Sequence, residues 1–389
     1  MKGLCILGST GSIGQNTLRV VRSLPERFRL VALVAGRNLD VLAEQIREFH
    51  PQIVSVGSRD SIGPLRERVG AQHPVRIVAE VAGSIEAATH PAVDFVVSAA
   101  HGVTGLRATY EAIRAGKQIG LANKETLVVA GEVVTRAARE RGVVLLPIDS
   151  EHSALHQCLR AGARSEILRL ILTASGGPFL RIPLAELSAV TPENALQHPI
   201  WKMGSRITID SATMMNKGLE IIEAHWLFDL PSHQIEVLIH PESIVHSMVQ
   251  FHDGTLMAQL AVADMRLPIQ YALTYPERVA LQADGLKLDL AAVAGLHFER
   301  PESARFPCLD LARAALDEGG ALPCALNAAD EVAVEAFLAR RLRFLAIPQV
   351  IEEVMSRTPR VRLDSLDDVL ASDGEARQRA REAVAHLAI

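Results

Sequence analysis

The sequence of 389 residues predicts an α/β protein built in parts. A doubly wound, mostly parallel sheet is expected over 1–149 and an α+β region over 150–275. A connecting stretch follows over 276–300, then a helical bundle over 301–389. Three observations lead to this division. Up to Pro147, short apolar runs alternate with segments of helical periodicity, the pattern of right-handed strand–helix crossovers. Beyond Pro147, Gly-rich loops mix with both strand-like and helix-like segments. From Cys308 onward the periodicity is helical throughout. The chain is also too long for one ordinary core.

In chain order, the strands expected in the first region are Leu4–Leu7, Leu30–Val34, Ile53–Val56, Phe95–Ser98, Gln118–Leu121 and Val143–Pro147. Segments such as Asn16–Leu24 and Asp40–Phe49 space apolar residues three and four apart and read as helices. In the second region Arg169–Thr173, Glu236–Ile239 and Thr255–Leu260 read as strands. The last region predicts helices at Cys308–Leu316, Cys324–Leu338, Ala346–Arg357 and Glu375–Leu387, with a short turn at Leu366–Leu370. Pro323 and Pro348 stand where helices begin.

Apolar residues make up 49% of the chain and aromatics 4%, so Val, Leu, Ile and Ala must fill the cores. A formal net charge of −5 gives no basic excess to point to nucleic acid or an anionic membrane. No apolar run reaches about 18 residues, so no spanning helix is expected. Four widely spaced cysteines without a CxxC read as reduced thiols. The glycines in MKGLCILGSTGSIG break the apolar run too early for a signal peptide. The expected location is cytoplasmic.

Gly8-Ser9-Thr10-Gly11-Ser12-Ile13-Gly14 joins the first strand to the first helix. Glycines there permit a tight turn and a close backbone approach to a pyrophosphate, which the helix N-terminus favours. This is a Rossmann-like dinucleotide site, spaced GxxGxxG rather than GxGxxG. The second strand ends in Ala35-Gly36-Arg37-Asn38, with an arginine where an NAD site carries an acid. A guanidinium pairs with a 2′-phosphate. NADPH is therefore the expected cofactor, with Arg37 and Asn38 at that phosphate; the alternative is a solvated surface arginine.

Asp149-Ser150-Glu151 follows the apolar run Val143–Pro147, where α/β sheets bind ligands. If the extended conformation persists, both carboxylates share a side and suit a hard divalent cation. The other reading is a pair of solvated loop acids. The segment 210–226 reads as one helix, with Asn216, Glu220 and Glu223 at i, i+4 and i+7 on one face. That face either is solvated or points into a site. Ser175 and its following glycines, with Ser211, Asn216 and Lys217, could supply donors to a phosphate. Gln197–Gly204, carrying His198, Trp201 and Met203, suits a lid, or else a plain surface loop. His101, His152, His225 and His246 read as core histidines.

GSTGSIG at 8–14, LANKE at 121–125, PIDSEHSA at 147–154, SGGPF at 175–179, MGSRITIDSATMMNKGLEIIEAHWLF at 203–228, HPESIVHSM at 240–248 and ALNAADEVAVEAFL at 325–338 together resemble the 1-deoxy-D-xylulose 5-phosphate reductoisomerase family over the whole chain. The resemblance implies a V-shaped homodimer with NADPH-binding, catalytic and C-terminal helical domains. It implies the rearrangement of a small phosphorylated sugar, 1-deoxy-D-xylulose 5-phosphate, and its reduction to 2-C-methyl-D-erythritol 4-phosphate, with inhibition by fosmidomycin-type phosphonates. By the same resemblance, Asp149, Glu151 and Glu220 hold Mg2+ or Mn2+. Lys124, Ser150, Ser175, His198, Ser211, Asn216 and Lys217 contact substrate, and Trp201 and Met203 belong to the lid. Thr10, Gly11, Ser12, Ile13, Gly36, Arg37, Asn38, Asn123, Glu125 and Gly204 contact the cofactor. Ile200 and Ser205 depart from the usual asparagine and basic residue. The competing readings are another NADP-dependent sugar-phosphate dehydrogenase, or a catalytically silent cofactor-binding regulator.

Overall fold

A computed structural model describes residues 1–100, 102–197, 200–201, 204–281 and 285–388. The expected lid residues His198 and Met203, and His101, lie outside the described residues. The chain forms two compact units. One comprises 1–126, 134–153 and 264–286; the other comprises 127–133, 154–263 and 287–389. Residues 264–286, assigned from sequence to the central region and the connection, thus run with the first unit.

In the first unit the strands are β1 (Lys2–Leu7), β2 (Phe28–Val34), β3 (Ile53–Val56), β4 (Arg76–Ala79), β5 (Phe95–Ser98), β6 (Gln118–Leu121) and β7 (Leu145–Pro147). They pair in the order β4-β3-β2-β1-β5-β6-β7, every pair parallel. The winding reverses between β1 and β5, which opens a crevice beyond their carboxyl ends. Leu4, Ile6, Leu33, Val54 and Val97 are fully buried in this sheet. Burial of each large aliphatic side chain stabilises by about 2 kcal/mol. β4 was not expected: Arg76 is exposed and the other three residues are only half-buried, as suits an edge strand with little apolar signal. The helix Arg266–Thr274 was also unforeseen, and it packs Ile269, Ala272 and Leu273 into this core.

In the second unit, β8 (Ile167–Ala174) pairs with β9 (Ile235–Ile239) in parallel and with β10 (Val245–Phe251) antiparallel; β11 (Leu256–Leu260) closes the edge. β10 is the expectation's main omission. His246, Ser247 and Gln250 dilute its apolar signal, yet six of its seven residues are buried. The low aromatic content is met by alanine. Ala325, Ala328, Ala329, Ala333 and Ala336 are buried on the helix Leu322–Leu338, and Ala376, Ala380 and Ala383 on the helix Leu366–Leu387. Small side chains let helix axes approach closely.

Two helix expectations need correction. Residues 366–387 form one continuous helix rather than a turn and a separate helix. It starts with a capping box in which Ser365 Oγ accepts from Asp368 N at 3.1 Å and the Asp368 carboxylate accepts from Ser365 N at 3.0 Å. The segment 210–226 is two helices, Ser205–Ala212 and Met215–Phe228, because Met214 takes a left-handed conformation at φ 61°. Thr213 Oγ1, one residue before the N-cap Met214, accepts from Met215 N at 3.2 Å. No helix among the described residues is long and apolar enough to cross a membrane.

Candidate active site

The glycine turn sits at the switch point. Gly8 has φ 84°, and its N–H and that of Ser9 both donate to Val34 O at 2.9 Å. A Cβ on Gly8 would stand 2.5 Å from Ala99 O, and one on Gly14 would stand 2.4 Å from Gly8 O. Backbone on both sides therefore excludes side chains there. The helix Ser12–Ser23 has Gly11 as its N-cap and no side-chain cap, which leaves first-turn N–H groups free to meet an anion. Thr10, Gly11 and Ile13 are half-buried and Ser12 is exposed. Sequence reading missed Gln45, whose buried amide Nε2 donates to Ser9 O at 2.9 Å and props the turn from the next helix.

At the end of β2, Gly36, Arg37 and Asn38 are exposed. Asn38 Oδ1 accepts from Val41 N at 3.2 Å and caps the helix Leu39–Phe49. Arg37 has no ion pair among the described residues. The nearest acid along the chain, Asp40, is held by Arg68 at 2.7 Å. The turn thus presents a guanidinium and no uncommitted carboxylate, a polarity that fits a phosphate on the ribose.

Beyond β6, Asn123 donates its side-chain amide to Ala100 O and, at 2.8 Å, to Gly102 O. Lys124 and Glu125 open the helix Glu125–Arg141. Lys124 Nζ lies 3.0 Å from Asp149 Oδ2, the two side chains being 11% and 12% exposed. The expected reason for Asp149 and Glu151 to share a side is wrong. The chain does not stay extended past β7, since a helix begins at Ser150. Instead Asp149 Oδ1 accepts from Glu151 N at 3.1 Å, and Ser150 Oγ donates to Glu151 Oε2 at 3.0 Å. His152, read as a core histidine, is fully buried with Nδ1 3.3 Å from Asp149 Oδ1. Its i, i+3 spacing from Asp149 was the signal available.

In the second unit, β8 runs into Ser175-Gly176-Gly177, whose glycines have φ of 83° and 68°. Gly177 N donates to Ser175 Oγ at 3.2 Å. A Cβ on Gly177 would stand 2.6 Å from Ser211 O, so this loop lies directly on the end of the helix Ser205–Ala212. On the next helix, Asn216 Nδ2 donates to Glu220 Oε1 at 2.6 Å, and Lys217 Nζ pairs with the other oxygen. Lys217, Glu220 and Glu223 are buried, which removes the solvated-face reading of this helix. Gly204 is exposed at the start of the helix Ser205–Ala212. The Trp201 ring lies 6.4 Å from that of His246, a buried residue of β10.

Similarity to known proteins runs along the whole chain. A family model of 1-deoxy-D-xylulose 5-phosphate reductoisomerase matches residues 4–131, and models of its C-terminal domains match 145–228 and 260–379. The reductoisomerase of Geobacillus sp. (strain WCH70) is 52% identical over 381 residues, spanning 98% of this chain and 99% of the relative. That of Prosthecochloris aestuarii is 52% identical over 388 residues, again 98% and 99%. The Zymomonas mobilis reductoisomerase, solved with NADPH, superposes with TM-score 0.93 at 42% identity over 98% of this chain and 99% of that one. A DOX-P reductoisomerase solved with NADPH, fosmidomycin and magnesium gives 0.94 at 41% identity, covering 99% and 98%. With a glycine turn at the sheet's switch point and buried lysine–carboxylate pairs in both units, this chain belongs to the 1-deoxy-D-xylulose 5-phosphate reductoisomerase family.

Proposed function

We propose that this protein isomerises and reduces 1-deoxy-D-xylulose 5-phosphate to 2-C-methyl-D-erythritol 4-phosphate, using NADPH and a divalent cation, in non-mevalonate isoprenoid biosynthesis. The observation that carries this reading is the full-length identity of 52% to reductoisomerases of that name.

The donor set fits the cation. Asp149, Glu151 and Glu220 are carboxylates, the oxygen donors that Mg2+ and Mn2+ prefer. When bound, the cation would polarise neighbouring substrate oxygens and NADPH would supply hydride. The chain's own residues do the rest. Lys124, paired with Asp149, supports a substrate hydroxyl and its developing negative charge. Ser175, Ser211, Asn216 and Lys217 anchor the phosphate, a remote group whose binding orients the reacting end. His198, Trp201 and Met203 form the lid that excludes water. Thr10, Gly11, Ser12, Ile13, Gly36, Asn123, Glu125 and Gly204 hold the cofactor, with Arg37 and Asn38 at its 2′-phosphate. In this reading the enzyme works as a cytoplasmic homodimer. The exposed edge strand β11, with Leu256 and Met257 at 47% and 39% exposure, supports pairing with a second copy.

The test is NADPH oxidation followed by absorbance with 1-deoxy-D-xylulose 5-phosphate, with and without chelator. Turnover that the chelator abolishes is expected, with an NMR spectrum of the product showing a branched carbon skeleton. An unbranched product would mean a dehydrogenase without rearrangement, and absence of oxidation would remove the activity.

A further inference from the structure

Arg206 lies outside every role assigned above, yet from the helix Ser205–Ala212 it engages several partners. Its side chain is 24% exposed. Nη1 lies 2.8 Å from Glu331 Oε1, while Nη2 lies 3.0 Å from Asn327 Oδ1 and 3.4 Å from Asp330 Oδ2. All three partners belong to the helix Leu322–Leu338. On its own helix, Nε stands 3.5 Å from Asp210 Oδ2. Arg377, from the helix Leu366–Leu387, holds the far oxygen of Glu331 at 2.7 Å.

Buried ion networks of this kind seldom add stability over apolar packing of the same volume. What a planar guanidinium does supply is direction, because its fork accepts partners only in fixed orientations. The element so directed is the one on which phosphate recognition converges. Ser211 lies five residues after Arg206 on the same helix. The Ser175–Gly177 loop rests on the Ser211 carbonyl too closely to admit a Cβ. The left-handed turn at Met214 then leads straight to Asn216 and Lys217.

We propose that Arg206 is a positioning residue for phosphate recognition: anchored on Asn327, Asp330 and Glu331, it fixes where the helix Ser205–Ala212 delivers Ser211 and the turn that follows. The inference rests on the phosphate-anchor reading above and deepens it.

The test is steady-state kinetics of the full-length enzyme carrying Arg206→Met, which keeps length and loses the fork, beside Arg206→Lys. The KM for 1-deoxy-D-xylulose 5-phosphate is expected to rise about tenfold in Arg206→Met, the size of one lost charge-assisted hydrogen bond. The inhibition constant of fosmidomycin, which carries a phosphonate, rises in parallel. The KM for NADPH stays unmoved, and Arg206→Lys recovers part of the loss. A lowered melting temperature with an unchanged substrate KM would make Arg206 purely structural and overturn the proposal. Should Arg206→Met not fold, Glu331→Gln weakens one arm and is measured in the same way; an unmoved KM there overturns it equally. Absence of wild-type turnover strikes the proposed activity, whereas normal wild-type turnover with unmoved variant KM strikes the brace alone.

Discussion

Two lysine–carboxylate pairs of the same chemistry sit in different surroundings. Lys124–Asp149, in the first unit, has side chains 11% and 12% exposed, at the mouth of a sheet and beside a helix start. Lys217–Glu220, in the second, is 5% and 0% exposed within one helix, with Asn216 on the other carboxylate oxygen. Water can partly compensate either member of the first pair when its partner is removed. It cannot reach the second. Under the proposed function, the same residue types would serve function alone in one place, and function together with the integrity of a core in the other.

Neutralising the carboxylates separates these roles most sharply. Glu220→Gln should lower kcat/KM by at least about 100-fold, beyond the loss usual for groups that only orient a metal ligand, and should also lower the melting temperature. Asp149→Asn should lose activity comparably while melting close to wild type. If Asp149→Asn melted as early as Glu220→Gln, the contrast would be wrong. On the lysine side, Lys217→Met takes a cation away from the buried Glu220 and should cost about 3–5 kcal/mol in urea denaturation. Lys124→Met should cost less, because Lys124 and Asp149 keep some contact with water. Equal losses would show that burial is not what distinguishes them.

Asp330 extends the comparison to pH. Burial pushes its carboxyl up to about 6, against the attraction of Arg206 and with Glu331 adding to the rise. Between its ordinary value of 3.8 and 6, the native state holds a proton that the unfolded chain has released. Stability from this group is therefore full below 3.8 and is lost as pH rises through 6. The stability of wild type relative to Asp330→Asn should decline from pH 4.5 to pH 7, and a flat or rising difference would refute the assignment. The smallest effect on folding is expected at Arg37. Arg37→Gln should raise the KM for NADPH about tenfold through loss of charge-assisted hydrogen bonds, leave that for NADH nearly unchanged, and leave melting untouched. An unchanged NADPH KM would take Arg37 away from the 2′-phosphate.

The parallel sheet was legible because its central strands are short, mainly apolar runs between helical periods. Ile53–Val56, Phe95–Ser98 and Gln118–Leu121 match the expected bounds to the residue. What escaped was decided by tertiary context. β10 carries a buried histidine and serine, which apolar patterning discounts. Ser372, Asp373 and Gly374 resemble a helix break, but Asp373 pairs with Arg377 and Ala376 packs into the core, so the helix continues. The break at Met214 has no glycine or proline to announce it. For the proposed site, the candidate residue types and their order along the chain were readable. The hydrogen bonds that orient them were not, because Lys124–Asp149 and Gln45–Ser9 join positions far apart in sequence.

The Gly36–Asn38 turn assigns different tasks to adjacent residues. Asn38 caps a helix, so its exchange frays local structure. Arg37 is exposed on the same turn and has no ion pair among the described residues. If Arg37 meets the 2′-phosphate as proposed, preference for one dinucleotide over another would be an evolvable trait here: a lineage, or an engineer, could retune electron-donor choice at position 37 with little effect on the scaffold.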